Sequence, residues 1–211
     1  MPYAMDHDLA EAWLRAAAAA VEQREEELTA LDGAIGDGDH GSNLRRGFTA
    51  VTELLDGLEP GLPPGTLLTR AGSTLISKVG GAAGPLYGSA LRAAGSALPE
   101  PTADLTDLAA GLRAGLSQVC KLGGAQVGDK TMVDAFEPAV AALERAAFDG
   151  FTLREASALA AEAAEAGARS TVPLVARKGR ASYLGPRSAG HQDPGATSTA
   201  LLFAALARVA G

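Results

Sequence analysis

The chain has 211 residues, a formal net charge of −7 and a 47% share of apolar residues, enough for one sizeable domain with a buried core. Acidic balance and the lack of a long basic run argue against nucleic acid as a partner. The one cysteine, Cys120, excludes an intrachain disulfide, and the Ala-rich run 16–20 is cut short by Glu22, Arg24 and Glu25, so it is neither signal peptide nor membrane span.

Alanine and leucine dominate while aromatics are only 4%, a composition that favours helix over strand. Residues 8–30 carry Leu9, Trp13, Ala17, Val21 and Leu28 at helical spacing, and the glycines from Gly33 to Gly41 are expected to end that helix. A second helix is predicted over 43–57, with Asn43 as its N-cap. Pro60, Pro63 and Pro64 form a stiff connector to a third at 65–78. Further helices are predicted at 84–98, 104–121, 131–148, 152–171 and 197–210. That makes eight helices, with Val172–Val175 as a possible short strand weakened by Pro173. The expected fold is all-α: one domain over 1–211, an antiparallel eight-helix bundle or closed ring whose connectors are rich in Gly and Asp.

The chemistry lies in those connectors. Asp32, Asp37 and Asp39 fall within eight residues of a segment that glycines let fold tightly. At ~4 Å, each like-charged pair costs about 4 kcal/mol at an effective dielectric near 20, and a divalent cation removes that cost. All-oxygen ligands point to Mg²⁺ or Ca²⁺ before zinc, and the twelve-residue EF-hand pattern is missing. A solvated turn is the alternative. Gly80-Gly81-Ala82-Ala83-Gly84, opening into a helix, would expose backbone N–H groups suited to phosphate, or simply permit close helix packing. In Gly123–Asp134, either Asp129 or Thr131 could cap the next helix, and the Met132 thioether could meet a purine face. Arg177, Lys178, Arg180 and Arg187 place four cations in eleven residues of an acidic chain, and guanidinium forks suit phosphate oxygens.

Four motifs in series, Leu-Asp-x-x-Ile-Gly-Asp-Gly-Asp-His-Gly, Gly-Gly-Ala-x-Gly-Pro-Leu-Tyr-Gly, Gly-Asp-Lys-Thr-Met-x-Asp and Arg-Lys-Gly-Arg-Ala-Ser-Tyr-Leu-Gly…Gly-His-Gln-Asp-Pro-Gly-Ala, resemble the L subunit of dihydroxyacetone kinases over nearly the whole chain. The resemblance implies an eight-helix barrel with ADP or ATP at one mouth and two Mg²⁺ ions between carboxylates and phosphates. By the same resemblance Asp32, Asp37 and Asp39 ligate the metal, and His40, Gly41, Ser42 and Asn43 line the nucleotide beside it. Ala82 and Ala83 contact phosphate, Gly124 and Met132 approach adenine and sugar, and Asp193, Pro194 and Gly195 close over the nucleotide. Arg180 matches the arginine that assists transfer, with Arg187 a second candidate. Ala83 departs from the family, which commonly has Ser there.

The resemblance further implies a cytoplasmic phosphotransferase subunit, with no membrane or nucleic-acid partner. ADP would be a fixed cofactor, rephosphorylated by a phosphotransferase-system protein. The γ-phosphoryl would then pass to dihydroxyacetone on a separate K subunit, in a homodimer or a heterotetramer with K. No substrate domain precedes the L-like region, hence the expectation of a separate K chain. The rival readings are an ATP-dependent subunit serving another small ketose or sugar acid, and a non-catalytic sensor of nucleotide state.

Overall fold

A computed structural model of the chain describes residues 4–211. Nine α-helices occur among them: α1 (His7–Gln23), α2 (Glu25–Ile35), α3 (His40–Asp56), α4 (Pro64–Lys78), α5 (Ala83–Ser96), α6 (Leu105–Gly123), α7 (Val133–Phe148), α8 (Leu153–Ser170) and α9 (Pro194–Ala210). A 3₁₀ segment, Arg180–Ser188, lies between α8 and α9, interrupted at Gly185. The described residues contain no strand, only an isolated antiparallel bridge between Met5 and Ala103. The stretch Val172–Val175 is turn running into irregular chain, with the Leu174 N–H bonded back to the Thr171 carbonyl at 3.1 Å.

Local chemistry accounts for most helix starts. Asp6 accepts the Leu9 N–H at 2.9 Å. Asp104 with Asp107, and Thr152 with Glu155, form reciprocal capping boxes that satisfy otherwise orphaned N–H groups. Pro64 and Pro194 sit in the first turns of α4 and α9, where a missing N–H costs nothing.

The largest departures from expectation lie in the first two predicted helices, and one of them raises the helix count from eight to nine. The helix predicted over 8–30 divides at Arg24, whose backbone (φ −112°, ψ 13°) leaves the helical region and whose guanidinium clasps Glu27 in the next turn. The second half then runs on through Gly33 to Ile35, so Asp32 stands on a helix instead of in the loop. Asn43 does not cap α3. That helix begins at His40, and the Asn43 N–H bonds the Asp39 carbonyl at 2.9 Å, inside the first turns.

Helix contacts close on themselves. α1 packs on α3, α3 on α4, and so on in order through α9, which returns to α1, while α2 covers one mouth against α3 and α9. The closure is visible at one bond: Trp13 Nε1–H donates to the Leu202 carbonyl at 2.8 Å, 189 residues away. α4 and α5 run antiparallel at very close range; a Cβ on Gly72 would stand 2.5 Å from the Gly88 carbonyl oxygen. Fully buried Leu67, Leu75, Leu108, Leu143 and Leu206 belong to one continuous core, with Phe136 and Phe203 meeting edge to face at 5.6 Å. No helix of the described residues is long and apolar enough to cross a membrane.

Candidate functional site

The uncovered part of the α2 mouth is a cleft of about 910 Å³. Its walls come from four connectors far apart in sequence, brought together by ring closure.

The acidic wall starts on the last turn of α2. Asp32 Oδ2 accepts the N–H of Asp39 at 2.9 Å and of His40 at 3.2 Å, folding the loop back onto the helix that launched it. Gly36 is required by this arrangement, since a Cβ there would lie 2.2 Å from Asp32 Oδ1, and Gly38 takes φ +74°. Carboxylate oxygens of Asp32, Asp37 and Asp39 consequently lie within 4.8 Å of one another. Three hard oxygen donors at that spacing, two on exposed residues, fit Mg²⁺ with room for water and phosphate ligands.

Opposite stands a basic arm. Arg177, Lys178 and Arg180 all line the cleft, and Arg180 Nε lies 3.0 Å from Asp37 Oδ2. Between the two walls, the 79–82 turn delivers the start of α5. No side chain caps its first N–H groups, and Gly80, Gly81, Ala82 and Ala83 border the cleft. Free N–H groups at a helix start, beside a cation cluster, suit a polyphosphate.

The floor is a largely buried polar network. His40 Nε2 lies 2.8 Å from Ser198 Oγ, and the Tyr87 hydroxyl lies 2.6 Å from Ser198 Oγ, 2.8 Å from Thr199 Oγ1 and 3.0 Å from the Gly195 carbonyl. Burial lowers the His40 pKa, against the pull of Asp32 and Asp39, and raises that of Tyr87, in each case by disfavouring the charged form. Beside them Asp193 caps α9, accepting the Ala196 N–H at 2.7 Å. Its burial lifts the carboxyl to about 7 against the pull of that N–H and of Lys130.

Lys130 carries no local signal of its role, because a lysine in a polar connector ordinarily faces solvent. Here it is 1% exposed, holds φ +63° and donates Nζ–H to the carbonyls of Thr171 (2.6 Å) and His191. It ties the 125–131 connector to the segment that leads into Asp193. Asp134 folds the same connector by accepting from Gly128 (2.6 Å) and Thr131 (2.8 Å); Thr131 Oγ1 accepts the first N–H of α7, that of Val133, at 3.2 Å, while Asp129 accepts from Gln126 at 3.0 Å within the connector.

Of the sixteen residues that the resemblance assigns to metal, nucleotide or transfer, twelve line this one cleft: Asp32, Asp37, Asp39, His40, Asn43, Ala82, Ala83, Met132, Arg180, Asp193, Pro194 and Gly195. Four do not. Gly41 faces α2, where a Cβ would meet the Glu25 carbonyl oxygen at 2.1 Å. Ser42 turns its hydroxyl to the Asp39 carbonyl at 3.0 Å. Gly124 is the left-handed end of α6 (φ +58°), and its neighbour Gly123 borders the cleft instead. Arg187 is exposed on the far part of the 3₁₀ segment. Ile35, Leu86, Val119 and Val133 add apolar lining; Ile35 and Leu86 stand inside the four motifs, which gave them no contact role, and Val119 and Val133 are not specified by any of them.

The DAK2 domain model matches residues 34–208. The chain belongs to the DAK2 domain family. Its relatives include the "PEP-dependent dihydroxyacetone kinase, ADP-binding subunit DhaL" of Escherichia coli K12, 42% identical over 199 residues covering 94% of each chain. The corresponding subunit of dihydroxyacetone kinase 1 of Listeria innocua is 42% identical over 95% of this chain and 96% of its own. Among solved structures, the dihydroxyacetone kinase of C. freundii in complex with AMP-PNP and Mg²⁺ superposes with a TM-score of 0.74 at 31% identity. That match covers 97% of this chain and 34% of the C. freundii chain, so this DAK2 chain spans about a third of that protein.

Proposed function

We propose that this chain is the nucleotide-carrying subunit of a dihydroxyacetone kinase. It holds ADP or ATP through two Mg²⁺ ions on Asp32, Asp37 and Asp39, and passes a phosphoryl group to dihydroxyacetone on a separate K subunit. The observation that carries this reading is the meeting, in one 910 Å³ cleft, of the three carboxylates, the free N–H groups of α5 and the Arg180 guanidinium. An acidic wall alone would repel a polyphosphate; divalent ions between them turn repulsion into attraction. The apolar patch of Leu86, Val119, Met132 and Val133 suits an adenine ring.

Each group has a task that needs no covalent intermediate on this chain. Mg²⁺, when bound, offsets charge on the phosphate oxygens. The α5 N–H groups and Arg180 hold the transferring phosphoryl group in line, which is most of what catalysis of phosphoryl transfer requires. The Nε2 of His40 is engaged by Ser198 Oγ at 2.8 Å, which occupies that nitrogen and argues against its accepting phosphate. The names of relatives matched over 93% or more of this chain, PEP-dependent in two and PTS-dependent in a third, support dihydroxyacetone as acceptor and a phosphotransferase-system donor.

The test is calorimetric titration of the purified chain with ADP, with and without Mg²⁺, after release of any endogenous nucleotide. Binding should need Mg²⁺ and disappear in Asp37→Ala. Adding a K subunit with dihydroxyacetone and a phosphorylated donor protein should then yield dihydroxyacetone phosphate, with label passing through nucleotide. Magnesium-independent binding, or label left covalently on this chain, would overturn the reading.

A further inference from the structure

We propose that Arg46 is a positioning residue that orients the Asn43 carboxamide so that its N–H₂ group, and not its oxygen, faces the bound polyphosphate. The inference rests on the nucleotide reading above and adds to it a residue outside the cleft.

Asn43 and Arg46 stand three residues apart on α3 and share a face. Arg46 Nη2 donates to Asn43 Oδ1, while Arg46 Nε donates to the Lys78 carbonyl at 3.0 Å. A guanidinium has donors only, so the amide atom facing it must be the oxygen. The Lys78 carbonyl, at the end of α4, anchors the guanidinium from its other side and limits its swing. Asn43 therefore has its acceptor occupied and both N–H bonds left over.

Those N–H bonds have one place to go. Asn43 is 7% exposed and lines the cleft, and its Nδ2 has no partner among the described residues. No buried side-chain polar atom of the described residues is sealed off without a hydrogen bond, so Nδ2 keeps its access through the cleft. Gly80 leaves that access open; a Cβ there would stand 3.1 Å from Oδ1 and 3.3 Å from Nδ2. The amide thus lies beside the turn that presents the α5 N–H groups. A polyphosphate offers acceptors only. An amide with its nitrogen forward adds to the donors around it, whereas a flipped amide sets oxygen against oxygen. Without Arg46 nothing decides between the two.

A double-mutant cycle on Mg·ADP affinity, measured by calorimetry on the full chain, tests this. Asn43→Ala should weaken binding about tenfold, the scale of one hydrogen bond to a charged group. Arg46→Met should weaken it about three- to tenfold, and the double variant should bind within about twofold of Asn43→Ala, because no amide remains to orient. Arg46→Lys, which still donates, should recover most of the affinity. Arg46→Glu, an acceptor that would draw the amide nitrogen toward itself, should bind more weakly than Arg46→Met. Penalties that multiply in the double variant would make Arg46 a structural staple between α3 and α4 and overturn the proposal. So would wild-type affinity in Arg46→Glu, with the melting temperature of each variant read beside its affinity. Failure of the wild-type chain to bind Mg·ADP would remove the nucleotide reading and this inference with it.

Discussion

Arg180 Nε lies 3.0 Å from Asp37 Oδ2, joining the 3₁₀ segment to the acidic loop across the mouth of the cleft. The Arg180 side chain is 70% exposed, and ion pairs of that kind contribute about 0–1 kcal/mol to stability. The function proposed above gives Arg180 its task in transfer instead. Arg180→Ala is expected to lower kcat of the reconstituted kinase about 10²–10³-fold while leaving the melting temperature within about 1 °C. Arg187→Ala, outside the cleft, should stay within about twofold of wild type in the same assay. Equal losses in the two variants would show that the segment acts as diffuse positive charge.

Gly41 belongs to packing. α2 approaches so closely that a Cβ would meet the Glu25 carbonyl oxygen at 2.1 Å and Thr29 Oγ1 at 2.5 Å, and backbone cannot yield there as a side chain can. Gly41→Ala should cost about 1–3 kcal/mol in urea unfolding. By shifting α2 it should also displace Asp32 and weaken Mg²⁺-dependent ADP binding. Normal stability with weakened binding would return Gly41 to the nucleotide contacts.

Tyr87 joins α5 to the first turn of α9 through one oxygen, within reach of Ser198, Thr199 and Gly195. Tyr87→Phe keeps the ring and removes the bonds, leaving two hydroxyls and a carbonyl to find partners elsewhere. A loss of about 1–3 kcal/mol is expected from thermal or urea unfolding. An unchanged melting temperature would mean that the Ser198 and Thr199 bonds to Gly195 suffice without Tyr87.

Asp193 gives stability a pH dependence. Its carboxyl titrates near 7 in the fold, chiefly through burial, against an ordinary 3.8. Between those values the folded chain keeps a proton that the unfolded chain has released, so stability falls as pH rises through this window and is level above it. Asp193→Asn keeps an oxygen to cap α9 and cannot ionise. The variant should match wild type near pH 4 and gain up to a few kcal/mol at pH 8, read by urea unfolding at each pH. A difference independent of pH would show that Asp193 is ionised throughout.

Helix content, the close-set carboxylates and much of the cleft lining were legible in the chain as written, because each depends on atoms a few bonds apart. Gly36 and Gly38 allow Asp32, Asp37 and Asp39 to converge, and a closely spaced acidic triplet has few chemical uses. Such motifs carry their geometry with them. Gly41 and Gly124 show the limit of that legibility, since a glycine looks the same in sequence whether it admits a ligand, a neighbouring helix or a left-handed turn.

Lys130, Tyr87 and Arg46 became visible only once the ring closed. Their partners, Thr171 and His191, Ser198 and Thr199, and Lys78, lie between 32 and 112 residues away. Composition and periodicity are sums over neighbours along the chain and hold no information about which distant carbonyl a buried ammonium will meet. That outcome depends on the order in which α1 and α3 to α9 pack, a balance of core burial and close backbone approach that belongs to the whole molecule.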